Sequence, residues 1–159
     1  MIDETSRAAL SRAVADVLER MFFLEPVAEA DAPPSAADPV TVHLAFDGDP
    51  PGCFRLRLDR SAAAAIAADF LGEDAASLTP RQSTEVTLEL ANMICGAALS
   101  QIESGAAFRL GTPEILTGQL VGTGPPQEDW YTVDTGSGAL SAAIQMETRS
   151  CPAPPRSAS

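Results

Sequence analysis

Residues 79–105 constrain the fold most, because they predict a long helix that is apolar on almost every side. Thr79 and Gln82 stand at capping-box spacing, and Pro80 occupies the first helical position between them. The helical pattern then continues to Gly105, a residue type common just past helix ends, over about 25 residues or roughly 37 Å. A helix with so little polar surface has to pack against other elements of a folded domain.

One narrow polar strip interrupts this apolar surface when residues 85–103 are projected at about 100° per residue. Between the first strip residue and Ser100, every residue off the strip is apolar except Thr87. Glutamates and an asparagine are also ordinary on a solvated helix face, so the helical projection alone leaves that interpretation open. The strip, which spans an arc of roughly 80°, consists of Glu85, Glu89, Asn92, Gly96, Ser100 and Glu103.

Three of these residues suggest more than a solvated face. Glu89 and Asn92 are three residues apart, so their side chains project next to each other. Gly96 lies one turn further along the same strip. An interior glycine costs about 1 kcal/mol relative to alanine, so its position there predicts that another surface approaches closely.

The remaining segments alternate between helical and strand periodicity, which predicts an α+β fold with a mainly antiparallel sheet and the long helices packed on one face. Ser61 is the expected N-cap of an alanine-rich helix that ends near Leu71, before Gly72. In the first hairpin, His43, Arg55 and Arg57 are expected on the solvent-facing side of their strands. The predicted elements are a helix over 4–23, a hairpin over 40–46 and 53–58, the alanine-rich helix, the long helix, strands over 108–116 and 119–122, and a hairpin over 130–135 and 140–147.

Length and composition exclude several classes of protein. With 159 residues the chain suits one domain, predicted over 1–149, with a flexible linker at 28–39 and a disordered tail at 150–159. A net charge of −12 disfavours binding to nucleic acid or to an anionic membrane surface. All ten basic residues are arginine, which rules out a lysine Schiff base within this sequence.

The N-terminus and the cysteines predict a cytoplasmic protein. The N-terminal stretch is acidic and polar, unlike a signal or transit peptide, and the longest apolar run, 62–68, is far too short to span a bilayer. Three widely spaced cysteines, Cys53, Cys95 and Cys151, are expected as reduced thiols, with Cys95 in the core. The single histidine, His43, offers no partner for a two-histidine metal site.

The octet ELANMICG, residues 89–96, resembles the ExxN signature of the CheX/CheC phosphatases, which dephosphorylate the chemotaxis response regulator CheY. VADVLERMFFLEP resembles the opening helix of that family, and FRLGTPEILTG resembles the strand after its signature helix. The chain departs from the family pattern at three positions. Glu85 replaces an Asp or Ser, Ala97 replaces a frequent Asn, and Pro113 stands about two residues early.

The resemblance implies a catalytic pair, Glu89 and Asn92, with Glu85, Gly96 and Ser100 contacting the partner. An acyl phosphate is already labile, so the catalyst mainly has to place a water in line with phosphorus. The carboxamide of Asn92 can bond that water without repelling the phosphoryl oxygens, and Glu89 would dock on the lysine of a receiver domain. The chain would need no cofactor of its own, since Mg²⁺ would be held by the response regulator. Homodimers that pair through the sheet are implied for a chain of this size.

Two alternatives remain at this stage. The first is a non-catalytic adaptor with the same fold that binds receiver domains or signalling partners, which the departures from the signature keep open. The second is a homodimeric aspartic protease built on Asp134 in the sequence DTG, although a GSG-containing hairpin turn explains those residues better.

Overall fold

The computed structural model describes residues 4–21, 28–29, 39–48, 51–102, 108–116, 130–135 and 138–146. The alternating apolar residues of the first predicted hairpin form strands β2 (Val40–Asp47) and β3 (Gly52–Leu58), which pair antiparallel with Leu44 opposite Phe54. The second predicted hairpin forms β6 (Tyr131–Asp134) and β7 (Ala139–Met146), and β7 pairs with β3. Both hairpins are therefore confirmed, and together they build the centre of the sheet.

The outer strands complete the sheet on both sides. Ala28–Glu29 forms β1, which pairs with β6, so the predicted flexible linker is wrong for these two residues. At the opposite edge, β4 (Arg109–Leu110) and β5 (Glu114–Leu116) both pair with β2. Among the described residues seven strands form one antiparallel sheet, with the order β1-β6-β7-β3-β2-β4 and β5 beside β4 on β2.

The edge segment predicted as one strand over 108–116 is interrupted. Leu110 lies opposite Phe46 and Glu114 lies opposite His43, so three residues of the edge segment face two residues of β2. This extra residue is a β-bulge, and Pro113, which has no N–H to donate to a ladder, lies within it. The bulge is anchored where Gly111 N donates to the carbonyl oxygen of Ala45 at 2.8 Å.

The helices are α1 (Glu4–Met21), α2 (Arg60–Leu71) and α3 (Pro80–Ile102); α1 and α3 pack on one face of the sheet and on each other, and α2 packs on α3. The predicted α+β class is confirmed, with the long helices on one face as expected. The largest fully buried side chains of the core, which lies between the helices and the sheet, are Phe54, Leu10, Leu18, Leu44, Leu56, Leu58, Ile66, Leu90, Ile94, Leu99 and Leu140.

The prediction that Ser61 caps α2 is wrong by two residues. Asp59 is the N-cap, and its carboxylate accepts from Ala139 N at 2.9 Å instead of capping the helix. The predicted end at Leu71 is confirmed, with Gly72 in the left-handed conformation.

The opposite face of the sheet is buried at His43 and Arg55 and half-buried at Arg57, which corrects the expectation that these three side chains point into solvent. His43 is only 4% exposed and Arg55 only 2%, and Nε of Arg55 donates to Nδ1 of His43 at 3.2 Å. The guanidinium of Arg57 lies 4.5 Å from the centre of the Trp130 ring. Alternation along β2 and β3 showed which side chains share a face but could not show that this face is covered.

The cysteines differ from one another. Cys95 is a free, fully buried thiol, as predicted, and burial raises its pKa to about 12. Cys53 is disulfide-bonded, so its predicted reduced state is wrong. Cys151, linker residues 30–38, the strand predicted at 119–122 and the tail at 150–159 lie outside the described residues.

Candidate functional site

The first turn of α3 is fixed by the predicted capping box. Gln82 N donates to Oγ1 of Thr79 at 3.1 Å, and Thr79 N donates to Oε1 of Gln82 at 2.8 Å. The two bonds satisfy donors that a helix start would otherwise leave unpaired. Nε2 of Gln82 also donates to Oε2 of Glu73 at 3.3 Å, which ties the preceding loop to this turn. The start of α3 is therefore fixed by residues that are local in sequence.

The burial of α3 follows the predicted apolar pattern. Leu90, Ala91, Ile94, Cys95 and Ala98 are fully buried. Thr87, the polar exception, is also buried, and its hydroxyl donates to the Ser83 carbonyl oxygen at 2.8 Å, so it needs no other partner. The accessible surface is wider than the predicted strip, because Leu88, Met93 and Ala97 beside it are half-buried.

We call Glu85, Glu89, Asn92, Gly96 and Ser100 the α3 strip. Glu85, Glu89 and Ser100 are exposed, while Asn92 and Gly96 are half-buried. Glu103, the sixth residue of the predicted strip, lies outside the described residues. The five described residues thus lie on one accessible face, in the order that the helical projection predicts.

Glu89 and Asn92 have side chains that are available to another molecule. They lie three residues apart in the middle of α3, so the carboxylate and the carboxamide are adjacent. Within the described ranges neither side chain makes a hydrogen bond or an ion pair. Because Asn92 is half-buried, its amide has less rotational freedom than a fully exposed one. The pair can therefore offer one anionic acceptor and one neutral donor–acceptor group to a docked molecule.

Glu85 is in a different state, because it is engaged within its own helix. Nε of Arg81 lies 3.1 Å from Oε1 of Glu85, in an (i, i+4) ion pair whose side chains are 87% and 63% exposed. Sequence reasoning missed Arg81, although its spacing of four residues from Glu85 extends the strip by one turn and could have revealed it.

Gly96 is not explained by packing within the chain. A Cβ added there would meet Leu110 Cδ2 at 3.9 Å, which is ordinary van der Waals contact. Nor does Gly96 have the positive φ seen at Gly72 and Gly138. Alanine would fit this position of the folded chain, so the glycine requires another reason. The contact with Leu110 also shows that the strip runs beside the sheet edge that carries β4 and the bulge.

The other candidates from the sequence have structural explanations. Asp134 ends β6, and Thr135 N and Thr135 Oγ1 donate to the Gly138 carbonyl oxygen at 2.9 and 2.8 Å, which connects the end of β6 to the start of β7. Burial, and to a smaller extent the neighbouring Arg55, lowers the pKa of His43 to about 4, so His43 is neutral at pH 7. In the described part of the chain no group of three or more His, Cys, Asp or Glu side chains could hold a metal ion.

No helix within the described ranges is long and apolar enough to cross a bilayer.

The structure resembles solved chemotaxis proteins. CheX from Vibrio vulnificus shares 22% identity at a TM-score of 0.65, covering 86% of this chain and 93% of that one. A putative chemotaxis protein from Desulfovibrio vulgaris Hildenborough shares 20% at 0.66, covering 92% and 100%. The CheX–CheY–BeF3–Mg²⁺ complex from Borrelia burgdorferi shares 17% at 0.65, covering 91% and 99%.

Comparison with the curated proteins finds no match. The family model described as chemotaxis phosphatase CheX matches residues 40–131, which are 92 of the 159 residues and include the whole α3 strip. Since this match covers more than half of the chain, the chain belongs to the CheX family.

Proposed function

We propose that this protein hydrolyses the phosphoaspartate of a CheY-like response regulator. The observation that carries the proposal is the pair Glu89 and Asn92, which lies on the accessible face of α3 with no internal partner among the described residues. Membership of a family described as a chemotaxis phosphatase supports the reaction type. The Borrelia burgdorferi structure, in which a CheX is in complex with CheY, supports the class of partner.

In the proposed mechanism Asn92 positions the attacking water. Its amide oxygen accepts a hydrogen bond from a water placed in line with phosphorus, and its amide N–H₂ can donate to the same site. The water oxygen bonds to phosphorus and the bond from phosphorus to the aspartyl oxygen breaks, which releases inorganic phosphate and restores the aspartate carboxylate. A neutral amide suits this position because a carboxylate would repel the phosphoryl oxygens.

Glu89 has the complementary task of docking. Its carboxylate is one turn from Asn92 and would pair with a lysine of the receiver domain, which anchors the partner beside the water-positioning amide. Mg²⁺ would be held by acidic residues of the receiver domain and would offset phosphoryl charge there.

The test is the decay of phosphorylated receiver domains, measured as phosphate release at increasing concentrations of this protein. Wild type should accelerate decay, and Asn92→Ala and the isosteric Asn92→Asp should both abolish the acceleration. Glu89→Gln keeps the shape of the side chain but removes its charge, so it should raise the half-saturating concentration. Asp69→Asn, which removes one exposed charge on α2 that is not part of the strip, is the matched control and should behave as wild type.

The outcomes separate the candidate functions. Binding of receiver domains without acceleration would refute catalysis and support the adaptor, which the ion-paired Glu85 at a departing signature position favours. Retained acceleration in Asn92→Ala would refute the water-positioning role. Assembly into a homodimer stays a prediction, which light scattering of the purified protein would test.

A further inference from the structure

The accessible face of α3 begins one turn before the strip, at Arg81. Positions 81, 85 and 89 are successive (i, i+4) neighbours, so the face carries a cation, then two carboxylates, then the neutral residues Asn92, Gly96 and Ser100. Arg81 is 87% exposed, so it is not held there by burial in the core.

The two carboxylates of this face differ in electrostatic state. Glu85 is paired with Arg81 at 3.1 Å, whereas Glu89 has no ion-pair partner in the part of the chain that the structure describes. Arg81 and Glu89 are separated by eight residues, a rise of about 12 Å, which exceeds the Debye length of about 8 Å at physiological salt. Arg81 therefore neutralises Glu85 and leaves the charge of Glu89 almost unchanged.

We propose that Arg81 determines which receiver domains this protein accepts, an inference that rests on the proposed function. With Glu85 neutralised, the face presents one effective negative charge, at Glu89, directly beside Asn92. A partner with a single cation at this point docks in one register, with its phosphoryl group at the neutral half of the face. A partner with an additional cation opposite Glu85 meets Arg81 and is disfavoured.

This assignment makes a specific prediction for variants of Arg81. In Arg81→Gln, Glu85 becomes a second docking carboxylate, so the half-saturating concentration of a receiver domain should fall about threefold, with a steeper dependence on salt. The gain should be largest for receiver domains with basic surfaces around the docking lysine. Arg81→Lys keeps the charge and should bind as wild type does. Because position 81 is highly exposed, none of these changes should affect folding.

The decisive measurement is a double-mutant cycle with Glu85→Gln, made on beryllofluoride-activated, Mg²⁺-loaded receiver domains of the source organism. If Arg81 acts by neutralising Glu85, the effect of Arg81→Gln should disappear when Glu85 is already Gln. Weaker or unchanged binding in Arg81→Gln, or an effect that persists with Glu85→Gln, would overturn the inference. Absence of accelerated decay with wild type and every receiver domain would instead refute the proposed function.

Discussion

Replacing Gly96 by alanine should make the protein more stable and less active at the same time. A Cβ at this position would contact only Leu110 Cδ2, at 3.9 Å, so nothing in the described part of the chain has to move. Gly96 lies inside α3, where alanine is favoured over glycine by about 1 kcal/mol. For a domain of this size, that gain corresponds to a rise in Tm of roughly 2–4 °C.

Gly138→Ala is the matched contrast, because the same substitution there should have the opposite sign. Gly138 has a φ of +145°, and a Cβ would come within 2.9 Å of Asp59 Cβ and 3.0 Å of Ser61 Oγ. Backbone strain and crowding together should cost about 1–3 kcal/mol. Urea denaturation of both variants against wild type gives the two changes in unfolding free energy in one experiment.

The functional half of the prediction concerns docking. If a receiver domain approaches α3 closely at Gly96, the added methyl group should raise the half-saturating concentration in the phosphate-release assay although the protein is more stable. Lower stability in Gly96→Ala would refute the packing argument. Higher stability with unchanged docking would refute the close approach and leave the glycine unexplained.

His43 should make stability depend on pH, because its pKa is lowered from 6.5 to about 4 in the folded protein. The unfolded chain takes up the proton first, so stability is complete above about pH 7 and falls by about 3 kcal/mol as the pH drops towards 4. His43 is the only histidine, so His43→Gln should flatten urea-denaturation midpoints between pH 5 and 7, and an unchanged slope would contradict the assignment. Thr79→Ala should cost about 1 kcal/mol in the same assay because it breaks the capping box, whereas Thr84→Ala, at an exposed position of the same helix, should be neutral or slightly stabilising.

The features of α3 were predictable because they depend on residues close together in sequence. The capping box connects Thr79 and Gln82, three residues apart, and the accessible strip follows from helical periodicity alone. The helix packs on the sheet and on α1 and α2, which buries most of its apolar arc and leaves Leu88, Met93 and Ala97 half-buried. Whether Glu89 and Asn92 perform the proposed chemistry remains a prediction for the assays above.

The second face of the sheet could not be predicted because its burial depends on distant parts of the chain. Alternation along β2 places His43 and Leu44 on opposite faces of the sheet, and the polar residues were expected to face solvent. In the structure His43 on β2 is buried against Arg55 on β3, although side chains of this polarity usually face solvent. The edge bulge was closer to being predictable, since Pro113 in an otherwise strand-like segment already argues against one continuous strand.

The distribution of charge along α3 also constrains how an anionic group can approach this protein. The chain carries a net charge of −12, so a phosphoryl group is repelled by most of the surface. On the accessible face of α3 the carboxylates lie at Glu85 and Glu89, while Asn92, Gly96 and Ser100 carry no charge over a rise of about 12 Å. A partner with a cation next to its phosphoryl group can match both the carboxylate half and the uncharged half of this face only if the cation lies over Glu89 and the phosphoryl group over Asn92. The reverse orientation would bring two anions together at Glu89, so the order of residues along one helix sets the polarity of docking.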